Sequence, residues 1–128
     1  MSKYDYSRLQ NGSDIRGVAI DGVAGEEVNL DAEAAERIAK GFLYYLVIHT
    51  GKPASELTIS VGRDPRLSGP ALAESFFRAL APYGCRILDA GLCSTPAMFM
   101  STLFKEYRCD GAVMITASHL PFNRNGFK

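Results

Sequence analysis

The chain has 128 residues, enough for one domain with a real core and too few for most multi-domain enzymes. Nearly half of them are hydrophobic (47%) and 14 basic residues balance 14 acidic ones, which excludes compositional disorder and leaves no net field to gather nucleic acid or an anionic membrane. The opening Met1-Ser2-Lys3-Tyr4-Asp5-Tyr6 lacks the apolar run of a secretory leader, and the longest strongly apolar stretch, Phe42 to Ile48, is far short of a membrane span, so a soluble cytoplasmic protein is expected.

Residues 11 to 22, Asn-Gly-Ser-Asp-Ile-Arg-Gly-Val-Ala-Ile-Asp-Gly, are dense in glycine and read as a loop feeding a first strand at Val18 to Ile20. Arg16 in that loop reads plainly as a solvated cation. Leu30 to Thr50 is the best helix: Asp31 can cap it, and Ala35, Ile38, Phe42, Tyr45, Leu46 and His49 recur at helical spacing before Gly51 and Pro53 end it. His49 on that stripe is expected to be structural. Gly51-Lys52 is no phosphate loop, because Pro53 stands where Ser or Thr is required.

Leu57 to Val61 alternates as a second strand and empties into Gly62-Arg63-Asp64-Pro65-Arg66-Leu67-Ser68-Gly69, a loop too charged to belong to either neighbour. Ser68 is expected to cap a helix through Leu72, Phe76, Phe77 and Leu80. Cys85 to Gly91 reads as a third strand. Thr95 as N-cap and Pro96 at the first helical position then start a helix with Phe99, Met100, Leu103 and Tyr107 inward. The cysteines, Cys85, Cys93 and Cys109, are odd in number and contain no C-x-x-C pair, so reduced and partly buried thiols are expected.

Ala112 to Ile115 is an unbroken apolar run, a strand buried on both faces, and it stops abruptly in Thr116-Ala117-Ser118-His119-Leu120-Pro121. Strands alternating with helices predict an α/β domain of three layers, α/β/α, around a mostly parallel, doubly wound mixed sheet. No G-x-G-x-x-G follows any strand, which weakens a dinucleotide-binding reading. If the strands are parallel, Arg63, Arg66 and Ser118 share the rim at their C-terminal ends, where ligands of open α/β sheets bind. On position alone a serine there is usually a turn or cap residue.

Three segments together carry a resemblance. Thr116-Ala117-Ser118-His119-Leu120-Pro121 with Asn125-Gly126-Phe127-Lys128 behind it closely resembles the phosphoserine loop of the α-D-phosphohexomutases, the phosphoglucomutase and phosphomannomutase superfamily. Ser13-Asp14-Ile15-Arg16-Gly17 is similar to its N-terminal arginine-glycine signature, and Gly62-Arg63-Asp64-Pro65-Arg66 to a segment beside the phosphoserine. The resemblance covers almost the whole chain and departs visibly at Leu120, where the family commonly has Asn.

What the resemblance implies is specific. Ser118 would carry a phosphoryl group, pass it to a hexose phosphate, and recover the other phosphate from the hexose 1,6-bisphosphate so formed, which is also the activator. His119 would assist, Lys128 and Arg16 would be the proton-transfer candidates, Arg63 and Arg66 would bind phosphate, and Mg²⁺ would bind a phosphoryl oxygen of Ser118. Residues 1–128 would be the first of four domains, inactive alone, with the other domains and a hexose phosphate as partners. The chemistry suits these residues, since phosphoryl transfer needs positioning and charge neutralisation, and guanidinium forks pair phosphate oxygens in two bonds. A lysine near a metal or arginines can become a proton carrier near neutrality. The competing expectation is a stand-alone phosphoprotein or phosphate-binding module.

Overall fold

A computed structural model describes residues 5–128, so the leader reading of residues 1 to 4 lies outside the described residues. In chain order the elements are β1 (Gln10–Asn11), β2 (Asp14–Val18), α1 (Ala32–Thr50), β3 (Thr58–Arg63), α2 (Gly69–Leu80), β4 (Arg86–Leu92), α3 (Thr95–Met100), β5 (Gly111–Ile115) and β6 (Arg124–Phe127), with short 3-10 turns between some of them. The strands form one sheet in the order β1-β2-β6-β5-β3-β4. Pairing is parallel from β4 through β3 to β5 and antiparallel from β5 through β6 and β2 to β1. The expected α/β class and mixed sheet are present, but the sheet is not mostly parallel: two of its five strand pairings are parallel and three antiparallel. The antiparallel half arises because β6, which the sequence does not announce, turns back beside β5 and pairs with β2.

Alternation along β3 builds the layers. Ile59 and Val61 join the core shared with α1 and α2, whereas the Ser60 hydroxyl lies 2.6 Å from that of Ser101, just after α3. A Cβ on Gly62 would sit only 2.5 Å from the Met98 sulfur of α3. Successive residues of a strand face opposite sides, so α1 and α2 cover one face and α3 the other. Phe76 of α2 is fully buried and its ring lies 5.7 Å from that of Phe127, tying α2 to β6.

Several local expectations are corrected. The strand expected at Val18 to Ile20 is β2, Asp14–Val18, preceded by the short β1, because the Asn123 carbonyl accepts both the Ala19 and Ile20 N–H groups and draws the chain out of the sheet. Helix α1 is capped by Asp31, whose carboxylate accepts the Ala34 N–H at 2.9 Å, and ends at Gly51 in a left-handed conformation. Its buried stripe is Ala35, Ala39, Leu43 and Leu46, while Ile38 and Phe42 are half-buried and Tyr45 and His49 are exposed. Packing against α2 as well as the sheet turns the inward face toward the alanines. His49 lies off the buried stripe, exposed and stacked on Tyr45 with ring centroids 3.9 Å apart.

Ser68 stands at the start of α2 but makes no capping bond; its hydroxyl accepts the Asn125 amide at 2.8 Å instead. The α3 cap is Ser94, not Thr95, and Thr95 is already helical. That helix stops at Met100 and the chain continues through turns, so helical spacing lapses: Met98 is buried, while Phe99, Leu103 and Tyr107 are exposed rather than inward. The three cysteines are free thiols, and burial pushes that of Cys85 up. Among the described residues no helix is long and apolar enough to cross a membrane.

Candidate active site

The loop between β5 and β6 presents Ser118 to solvent at the C-terminal end of β5. Its φ of 55° is left-handed, a conformation that costs a residue with a Cβ about 1–2 kcal/mol. Surrounding bonds hold it there. The Ser118 N–H donates to the Thr116 hydroxyl oxygen at 3.0 Å, and that hydroxyl donates to Asp64 at 2.5 Å. On the other side, the Ser118 carbonyl accepts Arg66 Nη2 at 2.8 Å. Arg66 also donates through Nη1 to the Pro121 and Arg124 carbonyls, at 2.8 and 3.1 Å, and through Nε to Asp64 at 3.3 Å. Within the loop the Leu120 N–H donates to the Ala117 carbonyl at 3.0 Å. The apolar side chain of Leu120 is half-buried. The imidazole of His119 places Nδ1 3.3 Å from Ser118 Oγ.

The second group of residues comes from β2 and β6, which pair Arg16 opposite Gly126. The strands approach so closely that a Cβ on Gly126 would strike the Ile15 carbonyl. Arg16 is largely buried; Nη1 donates to the Ala117 carbonyl and Nη2 to Asp14, both at 3.4 Å, and Nε is buried without a partner. Lys128, half-exposed, places its ammonium 3.5 Å from the same Asp14 oxygen. Asp14 therefore links the two cations beside the serine loop. Sequence reasoning passed over it, although Asp14 and Arg16 stand two apart on one strand and so share a face.

Arg63 shares the rim, paired in register with Ile115, but its guanidinium is turned toward Asp89 at 3.9 Å. Among the described residues, no hydrogen bond joins it to the Ser118 loop. Further support comes from the segment after β2: Glu26 accepts from Asn123 and, at 2.9 Å, from Arg124. Arg124 first, and Asn123 with it, hold the Glu26 carboxyl below the usual carboxylate range.

Chemically, the rim offers an exposed hydroxyl fixed by its own backbone, an adjacent imidazole and the Arg16 guanidinium on the Ala117 carbonyl, with Lys128, opposite Met114, tied to Arg16 through Asp14. That combination suits carriage of an anionic group on Ser118. Among the described residues no three His, Cys, Asp or Glu side chains converge as metal ligands, and Asp14 and Asp64 are already engaged. Magnesium prefers about six oxygen ligands, so these residues do not by themselves form its site.

Residues 7–128 match the family model described as phosphoglucomutase/phosphomannomutase, alpha/beta/alpha domain I. The chain is 38% identical over 113 residues to a phosphomannomutase/phosphoglucomutase of Pseudomonas putida, a match covering 88% of this chain and 22% of that protein. It is 35% identical over 109 residues to a phosphoglucosamine mutase of Clostridium acetobutylicum, covering 85% and 22%. A phosphoglucomutase/phosphomannomutase of Thermococcus kodakarensis matches at 35% over 109 residues, again covering 85% and 22%. The chain thus spans about a fifth of the length of these curated relatives. With residues 7–128, almost the whole chain, matched to the family's alpha/beta/alpha domain I, this chain belongs to the phosphoglucomutase/phosphomannomutase family.

Proposed function

We propose that Ser118 is the phosphoryl carrier of a phosphohexomutase that interconverts hexose 1-phosphate and 6-phosphate through a bisphosphate, with this chain as its first domain and further domains completing the site. One observation carries the reading: the Ser118 hydroxyl is free to face solvent while both polar groups of its own backbone are tied down. A phosphoserine brings about −1.5 to −2 of charge at neutral pH, and Arg16 and Lys128 are the cations at hand to offset it.

In the forward step a hydroxyl of the hexose phosphate attacks phosphorus in line, the bond to Ser118 Oγ breaks, and the hydroxyl's proton is taken up by a base. Of the two proton-transfer candidates, Lys128 fits that role. A guanidinium keeps its protons, so Arg16 acts through charge and hydrogen bonding. His119, beside Oγ, steadies the hydroxyl when the phosphoryl group has left, and Arg63 is the rim arginine available to a substrate phosphate. Mg²⁺ and hexose 1,6-bisphosphate belong to the same proposal, the metal on a phosphoryl oxygen of Ser118 with its other ligands from outside the described residues. A cytoplasmic setting goes with hexose phosphates as substrates.

The test is a turnover assay of the protein purified from its own cells, with glucose 1-phosphate, Mg²⁺ and glucose 1,6-bisphosphate, following glucose 6-phosphate. Turnover of about 1 per second or more that vanishes in Ser118→Ala is expected. Turnover unchanged in Ser118→Ala contradicts the assignment, and no turnover on any hexose phosphate favours a stand-alone phosphoprotein.

A further inference from the structure

Arg63 and Arg66 lie three residues apart, yet their surroundings differ. Among the described residues the Arg63 guanidinium has one ion-pair partner, Asp89, at 3.9 Å. Arg66 has little exposed surface, and four of the five N–H donors of its guanidinium are already bonded, to Asp64 and to the carbonyls of Ser118, Pro121 and Arg124. A bidentate grip on phosphate needs two parallel N–H groups, and only one is left.

The bonds of Arg66 converge on one residue. Asp64, its ion-pair partner, holds the Thr116 hydroxyl, which accepts the Ser118 N–H; Arg66 itself holds the Ser118 carbonyl. The pair therefore reaches both polar groups of the Ser118 backbone, at the residue whose φ of 55° demands outside support. Resting on the phosphoserine reading above, we propose that Arg66, with Asp64, is a positioning residue that fixes Ser118 for transfer and does not bind the substrate's phosphate.

The clamp can be read directly from amide ¹⁵N relaxation of the full chain. In the unsubstituted protein, residues 117–120 should be as rigid as β5, with order parameters of about 0.85. In Arg66→Ala they should fall below about 0.6 while β5 keeps its values. Thr116→Val, a smaller change that cuts only the amide arm, should loosen Ser118 in the same direction and carries the test if Arg66→Ala does not fold. In the active enzyme, Arg66→Lys should lower kcat at least tenfold while the KM for glucose 1-phosphate stays within about threefold, a split expected when positioning rather than ground-state binding is lost. A loop equally rigid in both variants, a loop already mobile without substitution, or a tenfold rise in KM with kcat unchanged would overturn the proposal. Absence of turnover in the unsubstituted complete enzyme, further domains included, counts against the mutase reading alone, and the relaxation data still decide the role of Arg66.

Discussion

Asp14 holds both cations proposed to meet the phosphoryl group, since Arg16 and Lys128 share one of its carboxylate oxygens. Arg16 is walled in by β6, but Lys128 is half-exposed and owes its direction largely to that contact. Replacing the carboxylate by an amide removes the attraction and leaves the shape. Asp14→Asn is therefore expected to lower turnover by about 10- to 100-fold, the scale of effect when a reacting group is slightly misplaced, with the melting temperature little changed. Equal turnover in the two proteins would show that Lys128 is placed by something else. At this scale, the proposed Ser118, His119, Arg16 and Lys128 were suggested by the family's motifs; the structure sets His119 and Arg16 against the serine loop and ties Lys128, opposite Met114, to Arg16 through Asp14. Asp14, Thr116 and Asp64 were not, because a carboxylate or hydroxyl in a loop declares a role only once its partners are known, and those of Asp64 and Thr116 include each other across 52 positions of sequence.

Helices and strands show the same division between local and distant causes. Helix α1 could be placed from its spacing, Asp31 cap and Gly51 stop, yet its inward face was misjudged because α2 competes with the sheet for it. Phe42 is consequently half-buried, its ring 6.5 Å from Phe76 and its edge filling the space left by Gly111. Phe42→Ala is expected to cost about 2–3 kcal/mol, below the 3–5 of a fully buried phenylalanine, and calorimetry reads this directly. Strand β6 was invisible beforehand: Arg-Asn-Gly-Phe has weak strand preference, and the sheet forms it by pairing against β2 where Gly126 lets the backbones meet. At the start of β5, burial pushes the Asp110 carboxyl up, but Lys52 at 2.8 Å and the Thr58 N–H at 2.9 Å outweigh it and hold the group below the usual range. A carboxyl depressed in the fold contributes stability that is complete above its unfolded pKa of about 3.9 and is lost as pH falls through the folded value. Asp110→Asn should accordingly be less stable at pH 7, by about 0.5–1 kcal/mol for a partly exposed pair. It should also lose less stability than the parent on acidification from about pH 5 to pH 2. Parallel acid-unfolding curves would contradict this.

Across the whole molecule, the two faces of the sheet are covered unequally. Helices α1 and α2 seal one face, whereas short α3 leaves Leu92, Phe99, Leu103, Phe104 and Tyr107 exposed, the last two lining a cleft of about 590 Å³. The α/β order and the serine loop at a strand's C-terminal end could be read from hydrophobic runs and turns, as could the shared rim of β3 and β5. The unequal cover could not, since it depends on where α3 stops, and the tertiary turns after Met100 decide that. The proposed function rests on one hydroxyl at the rim, whose backbone is hydrogen-bonded on both sides. The decisive measurement is therefore where phosphate lands. The protein should be incubated with labelled glucose 1,6-bisphosphate and Mg²⁺ and mapped by peptide mass spectrometry, beside the same protein isolated directly from cells. Phosphate on Ser118 in both samples is the expected result; phosphate consistently on Ser68 or Thr116, with Ser118 bare, would contradict the account.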